Sequence, residues 1–224
     1  MFNCCCMERP QYNPNFEEQR RYLVDLLRKK GITDNHVLRA IHQVPRELFM
    51  PRKLINMAYV DKAFPIGQGQ TISQPFTVAY QTQLLQVNEC DKILEIGTGS
   101  AYQAAILCAM GAIVYTIERQ KKLYDQLNEF EYLTSFRNLH LFYGDGFRGL
   151  SSFAPFDKIL ITAAAPYIPP ALIDQLSIGG LMVLPVNAGE SQQMIRVTKL
   201  PDGTLEKEYF DFFSFVPMLK GKSE

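Results

Sequence analysis

From Lys92 onward, short apolar runs alternate with amphipathic stretches at helical spacing, and this alternation constrains the fold more than any other feature of the chain. The runs at 93–96, 113–117, 139–143, 156–162 and 181–185 are each four to seven residues long and read as buried strands. Between them, 101–110, 121–132 and 169–176 read as helices. Strands separated by helices call for a mostly parallel sheet covered on both faces, because a parallel pair needs a crossover between its members. Residues 194–200 and 204–215 flank Pro201-Asp202-Gly203, a turn sequence, and predict a closing antiparallel hairpin at one sheet edge. The fold class expected is therefore α/β, doubly wound and mostly parallel, with a C-terminal antiparallel hairpin.

The first fifty residues are predicted to be helical, with no strand. Tyr22, Leu23, Leu26 and Leu27 fall on one helical face within 16–30, which stops at Gly31. Thr33 or Asp34 can cap a second helix whose face carries Val37, Leu38 and Ile41 and which ends at Pro45. Residues 51–75 read as a long irregular stretch, either a functional loop or an ordinary surface connection. A third helix is expected over 77–86.

With 47% hydrophobic and 21% charged residues, the chain has the material for a core. At 224 residues it fits one domain, with N-terminal helices and an active-site loop over 16–75 and a ligand-binding core over 76–217. Lys and Arg balance Asp and Glu at 23 each, so no charge surplus favours nucleic acid. No apolar run reaches the length of a bilayer span, and 1–10 lack the pattern of a signal peptide; a soluble, cytoplasmic protein is expected. Cys4, Cys5 and Cys6 are adjacent, Cys90 and Cys108 stand apart, and none of the three histidines neighbours another ligand type, so neither a disulfide framework nor a metal site is indicated. Without a heptad or apolar stripe, a monomer is the default.

The chemistry is expected at strand ends. Ile93-Leu94-Glu95-Ile96-Gly97-Thr98-Gly99-Ser100-Ala101-Tyr102 is a buried strand, a glycine turn and a helix start, a context in which backbone can approach a ligand closely. Tyr102 stands where a dinucleotide site needs its third glycine, which favours a nucleoside ligand without phosphates. Glu95, inside the apolar strand, is costly to bury unless a ligand or nearby backbone N–H groups satisfy it. Glu118, followed by Arg119, ends the next strand and can bind the hydroxyls of a ribose, while Asp145-Gly146 ends the third.

These features resemble the class I S-adenosylmethionine-dependent methyltransferases, and specifically the protein-L-isoaspartate O-methyltransferase family. The resemblance is carried by Val44-Pro45-Arg46-Glu47, by Phe64-Pro65-Ile66 and Gly67-Gln68-Gly69-Gln70-Thr71-Ile72-Ser73-Gln74-Pro75, by the 94–102 loop, by Gly144-Asp145-Gly146, and by Ala163-Ala164-Ala165-Pro166 leading to Leu172-Ile173-Asp174-Gln175-Leu176. It runs from about Arg20 to Pro217, and its discriminating part is Gln70 to Pro75. It implies a seven-stranded, Rossmann-like methyltransferase sheet with extra N-terminal helices, S-adenosylmethionine as cofactor, and methylation of the α-carboxyl of L-isoaspartyl residues in damaged proteins and peptides. By position it makes Ser73 the active-site serine, assigns the cofactor to Glu95, Gly97, Thr98, Gly99, Ser100, Glu118, Arg119, Asp145 and Gly146 with Thr71 and Ile72 flanking the reacting groups, and gives the substrate Gln70, Thr71, Ser73, Val216 and Pro217. Ala101 departs from a frequent glycine, and the cysteine triplet matches nothing in the pattern.

A carboxylate is already ionised near neutral pH, so such a reaction needs alignment rather than a strong base. The ester formed would close to a succinimide unaided, and hydrolysis of that ring returns some normal aspartyl. Ser73 lacks the glycine-flanked turn of a hydrolase nucleophile. The competing readings are a methyltransferase of the same fold acting on a small molecule or RNA, against which the neutral charge counts, and a noncatalytic cofactor-binding module.

Overall fold

The computed structural model describes residues 14–189 and 191–224, so the cysteine triplet lies outside the described residues. The elements in order are α1 (Pro14–Lys29), α2 (Asn35–Gln43), β1 (Phe64–Gly67), β2 (Gln70–Ile72), α3 (Pro75–Leu85), β3 (Lys92–Ile96), α4 (Tyr102–Ala109), β4 (Ile113–Glu118), α5 (Lys121–Asn128), β5 (Leu139–Tyr143), β6 (Phe156–Ile161), α6 (Pro170–Gln175), β7 (Leu176–Ala188), β8 (Ser191–Lys199) and β9 (Leu205–Phe213). Short 3₁₀ turns at Arg46–Phe49 and Arg52–Met57 bridge α2 to β1.

Seven strands form one sheet in the order β5-β4-β3-β6-β7-β8-β9. The first five run parallel, and β8 and β9 return antiparallel. Side chains alternate across the sheet as the two-residue period requires. Ile93, Val114, Leu160 and Val183 pack into the core shared with α1 to α4, whereas Leu94, Ile96, Ile159 and Ile161 pack with Leu172 of α6 on the other face. The expected doubly wound sheet, N-terminal helical extension and antiparallel hairpin are all present.

Local chemistry sets the boundaries. Asp34 caps α2, its carboxylate accepting from the N–H groups of His36 (2.7 Å) and Val37 (3.3 Å). Proline is tolerated in a first helical turn, so α3 begins at Pro75 rather than 77. Helix α5 ends at Asn128 instead of 132, and Phe130 and Tyr132 turn inward to meet Phe49, with ring centroids 5.3 and 5.6 Å away. The stretch read as irregular contains the β1–β2 hairpin, in which Gln68 and Gly69 both adopt positive φ (51° and 67°) at the turn. Strand β7 starts at Leu176 and runs to Ala188, well beyond the expected 181–185. None of the helices among the described residues is long and apolar enough to cross a membrane.

Candidate active site

Strand order reverses beside β3, whose neighbours β4 and β6 are reached by crossovers leading in opposite directions. A crevice therefore opens at the carboxyl ends of these strands, the usual place for a ligand in such sheets. The β3–α4 turn fills its floor. Gly97 and Thr98 donate to the Ile117 carbonyl (3.0 and 3.3 Å), which fixes the turn against the end of β4. Gly97 has φ +98°, and a Cβ there would lie 2.6 Å from the Thr162 hydroxyl, which itself donates to the carbonyls of Gly97 and Ile96. A Cβ at Gly146 would come within 2.3 Å of Ile96. Space thus demands glycine at both positions, and at Gly97 the left-handed backbone conformation demands it as well. Ala101 sits at φ 65°, a left-handed conformation costing an alanine roughly 1 kcal/mol or more that glycine would not incur.

The two glutamates of adjacent strands behave differently. Glu118 faces the crevice, where one carboxylate oxygen accepts from Gly99 N–H (2.9 Å) and the other from Gln120 N–H (2.8 Å), leaving lone pairs on both for a ligand. Glu95, fully buried, projects toward the α3–α4 face. Its Oε2 accepts from the Thr116 hydroxyl (2.5 Å), which stands 2.7 Å from the Thr98 hydroxyl, and its Oε1 has no partner among the described residues. Burial pushes the Glu95 carboxyl up to about 8; the Thr116 hydrogen bond works against that rise, and the Glu118 charge adds to it.

A second set of segments closes the crevice from above. After β9 the chain turns back over the strand ends: Ala164 N–H donates to the Val216 carbonyl and Met218 N–H to the Ala164 carbonyl (both 2.8 Å), and Ser223 N–H donates to the Arg119 carbonyl (2.8 Å). Arg119 in turn donates through Nε to the Gly221 carbonyl (3.1 Å). Opposite this strap lies the β2–α3 turn with Ser73. Arg46, fully buried, holds that turn by donating to the carbonyls of Ser73 and Ala58 (2.9 Å each) and, more weakly, Lys62 (3.5 Å). Its guanidinium lies 4.8 Å from the centre of the Tyr102 ring at the start of α4. Burial pushes this guanidinium down to about 10.

The result is an inner cavity and an outer basin. Thr71, Ser73, Thr162 and Val216 belong to the walls of both. Of the residues singled out in the sequence, Gln70, Thr71, Ile72, Ser73, Gly97, Thr98, Gly99, Ser100, Glu118, Arg119, Gly146, Val216 and Pro217 line the inner cavity. Glu95 and Asp145 are not among its walls: Glu95 is behind the glycine turn, and the Asp145 carboxylate accepts from Phe147 N–H (3.0 Å). Sequence reasoning gave no site role to Val78, Ile96, Tyr102, Gln103, Ile117, Thr162, Ala163, Met218 and Leu219, which also line the cavity. Thr162 ends the fourth expected strand, at the same edge as the three acids, and that position was the available signal. Among the described residues, no group of three or more His, Cys, Asp or Glu is placed to hold a metal ion.

A family model, protein-L-isoaspartate(D-aspartate) O-methyltransferase, matches residues 18–223. The chain belongs to the protein-L-isoaspartate(D-aspartate) O-methyltransferase family. A relative from Flavobacterium psychrophilum named protein-L-isoaspartate O-methyltransferase is 49% identical over 211 residues, covering 94% of this chain and 98% of its own length. Another of that name, from Flavobacterium johnsoniae, is 50% identical over 205 residues and covers 91% of this chain and 95% of its own. In fold, the chain matches a Plasmodium falciparum structure solved with S-adenosyl-L-homocysteine, with a TM-score of 0.80 at 23% identity, over 90% of this chain and 99% of that one. This member of the family is accordingly an S-adenosylmethionine-dependent enzyme whose activity is O-methylation of isoaspartyl residues.

The inner cavity fits that cofactor on its own chemistry. Its floor is glycine backbone where a Cβ would collide, its far side offers a buried carboxylate with free lone pairs, and Ile96, Ile117, Val78 and Met218 supply apolar wall.

Proposed function

We propose that the two cavities divide the reaction between them: the inner one holds S-adenosylmethionine and the outer one the polypeptide bearing the isoaspartyl residue. The observation that carries this reading is the common wall of Thr71, Ser73, Thr162 and Val216, the one boundary at which both occupants would meet. When bound, the cofactor supplies an electrophilic sulfonium methyl group.

The remaining work falls to the protein. Gly97 to Ser100 present backbone to the cofactor, Glu118 accepts from its ribose hydroxyls, and Gly146 and Met218 bound its base. Arg119 ties the C-terminal strap to the end of β4 and so helps exclude water from above. Ser73, on the common wall, orients the acceptor carboxylate through its hydroxyl, with Thr71 beside it. Gln70 and Pro217 bound the approach. Glu95 and Asp145 shape the pocket indirectly, Glu95 through the Thr116 and Thr98 hydroxyls and Asp145 through the turn that delivers Gly146. The acceptor carboxylate is ionised near neutral pH, so catalysis rests on alignment, which contributes roughly 7 to 11 kcal/mol in favourable cases. The balance of 23 Lys and Arg against 23 Asp and Glu counts against nucleic acid as a partner, and we take the enzyme to act as a cytoplasmic monomer.

Transfer of labelled methyl from S-adenosylmethionine to two peptides differing only in L-isoaspartyl or L-aspartyl at one position tests the assignment. Base-labile label on the isoaspartyl peptide alone is expected. Equal labelling of both, or of neither while cofactor binds, would remove the acceptor from the outer basin.

A further inference from the structure

The outer basin has a composition that the transfer reaction itself does not require. Four of its lining residues are phenylalanines: Phe76 from α3, Phe212 and Phe213 from the end of β9, and Phe215 just beyond. None of the thirteen described residues that line it carries a charge. Two described acids on its flanks are already engaged, Asp61 with Lys30 (2.7 Å) and Asp211 with the Tyr80 hydroxyl (3.0 Å).

Part of this wall is preformed. Phe213 stacks on Phe76 (ring centroids 6.3 Å apart, planes at 24°), packs against Tyr80 at 5.2 Å and meets Phe215 at 6.3 Å. Phe212 differs: it is 59% exposed and has no ring partner among the described residues. Together with Phe76, Phe213 and Phe215 it makes a contiguous apolar patch, and such a patch beside a site marks a ligand-binding groove.

The acceptor is one residue in a polypeptide, so its neighbours have to lie outside the inner cavity, and the basin adjoins the common wall on the acceptor side. We propose that this basin is a subsite for an apolar, preferably aromatic, side chain flanking the isoaspartyl residue, and that it biases repair toward damage in apolar surroundings. An apolar ring there covers Phe212 and loses its own contact with water. A charged side chain in the same place would be desolvated with no partner of opposite sign. The inference rests on the division of the two cavities proposed above.

A peptide series with isoaspartyl at a fixed position tests it, each of the two residues on either side being varied in turn among glycine, phenylalanine, lysine and glutamate. At one flanking position kcat/KM is expected to be about tenfold higher for phenylalanine than for glycine, with lysine and glutamate below glycine. Phe212→Ser, at an exposed site, should reduce that ratio to about twofold. Ile178→Ser, which removes an exposed apolar residue of β7 that does not line the basin, should leave it at tenfold. A flat profile in the wild-type enzyme, or a preference that Phe212→Ser does not diminish, overturns the subsite while leaving the methylation reading intact. Failure to methylate any isoaspartyl peptide overturns both.

Discussion

The floor of the inner cavity and its acceptor side are held by different means. The floor consists of consecutive residues at the ends of parallel strands, and several backbone bonds hold it jointly, from Gly97 and Thr98 to Ile117, from Thr162 to Ile96, and from Gly144 to Glu118. The acceptor side is assembled from segments far apart in the chain, and the Ser73 turn is tied to the 3₁₀ segment beneath it chiefly by Arg46. Apart from the two glycines that admit no Cβ, substitutions in the floor should therefore tune ligand binding with little structural damage, whereas the Ser73 turn depends on a few side chains, Arg46 beneath it and Asp61, which accepts from Phe76 N–H (2.8 Å). That contrast is open to direct attack.

The largest effect is expected at Arg46. Methionine in its place would keep much of the volume but leave the carbonyls of Ser73 and Ala58 without their donors, each a hydrogen bond to a charged group worth about 1.5 to 3 kcal/mol. Relief from burying a cation offsets part of this, so a net loss of about 3 kcal/mol is expected, a fall of about 6 to 12 °C in Tm for a chain this long. Thermal unfolding of Arg46→Met checks it. A variant melting with the wild type would mean that the acceptor side is held as redundantly as the floor.

Ser73 and Glu118 then separate the two sides functionally. Loss of the Ser73 hydroxyl in Ser73→Ala should lower turnover by about 2 kcal/mol, a factor of about thirty, while cofactor affinity measured by calorimetry stays within about twofold. Glu118→Gln should do the reverse. An amide has one acceptor oxygen where the carboxylate serves both Gly99 and Gln120, so cofactor affinity should fall about tenfold, or about 1.4 kcal/mol, with turnover at saturating cofactor little changed. If Glu118→Gln lowered saturated turnover as much as Ser73→Ala does, the two walls would not act independently.

The same contrast governs what could be read in the sequence. The floor was legible because it is local: a run of apolar residues, then glycines, then a helix face, with Glu118 at the next strand end in register. On the acceptor side the irregular stretch 51–75 left a functional loop and an ordinary connection equally open, and only family resemblance singled out Ser73, since no local pattern shows that Arg46 reaches the Ser73 carbonyl or that Val216 bridges to Ala164. The β1–β2 hairpin escaped because Gln68, a residue not favoured at positive φ, shares the turn with Gly69. Two-residue alternation did contain one unused clue: Glu95 lies between Leu94 and Ile96 and must face the opposite side of the sheet from both, toward α4.

That orientation leads to the smallest and most specific effect. Since burial pushes the Glu95 carboxyl from its ordinary 4.5 to about 8, the folded protein keeps this proton over a range in which the unfolded chain has released it. Folding then binds a proton, so the contribution of Glu95 to stability declines as pH rises from about 4.5 to about 8 and levels off above that. The slope cannot exceed about 1.4 kcal/mol per pH unit for one group, and relaxation around a buried acid brings the expected value below about 1. Glu95→Gln retains an acceptor for the Thr116 hydroxyl and removes the titration. Denaturant unfolding of both proteins at pH 5 and pH 8 should show the glutamine variant gaining stability relative to wild type as pH rises. A constant difference between the two would mean that Glu95 is ionised throughout this range, with its second oxygen satisfied by a partner such as an ordered water. The glutamate would then belong with Glu118, as a second anionic group beneath the glycine turn.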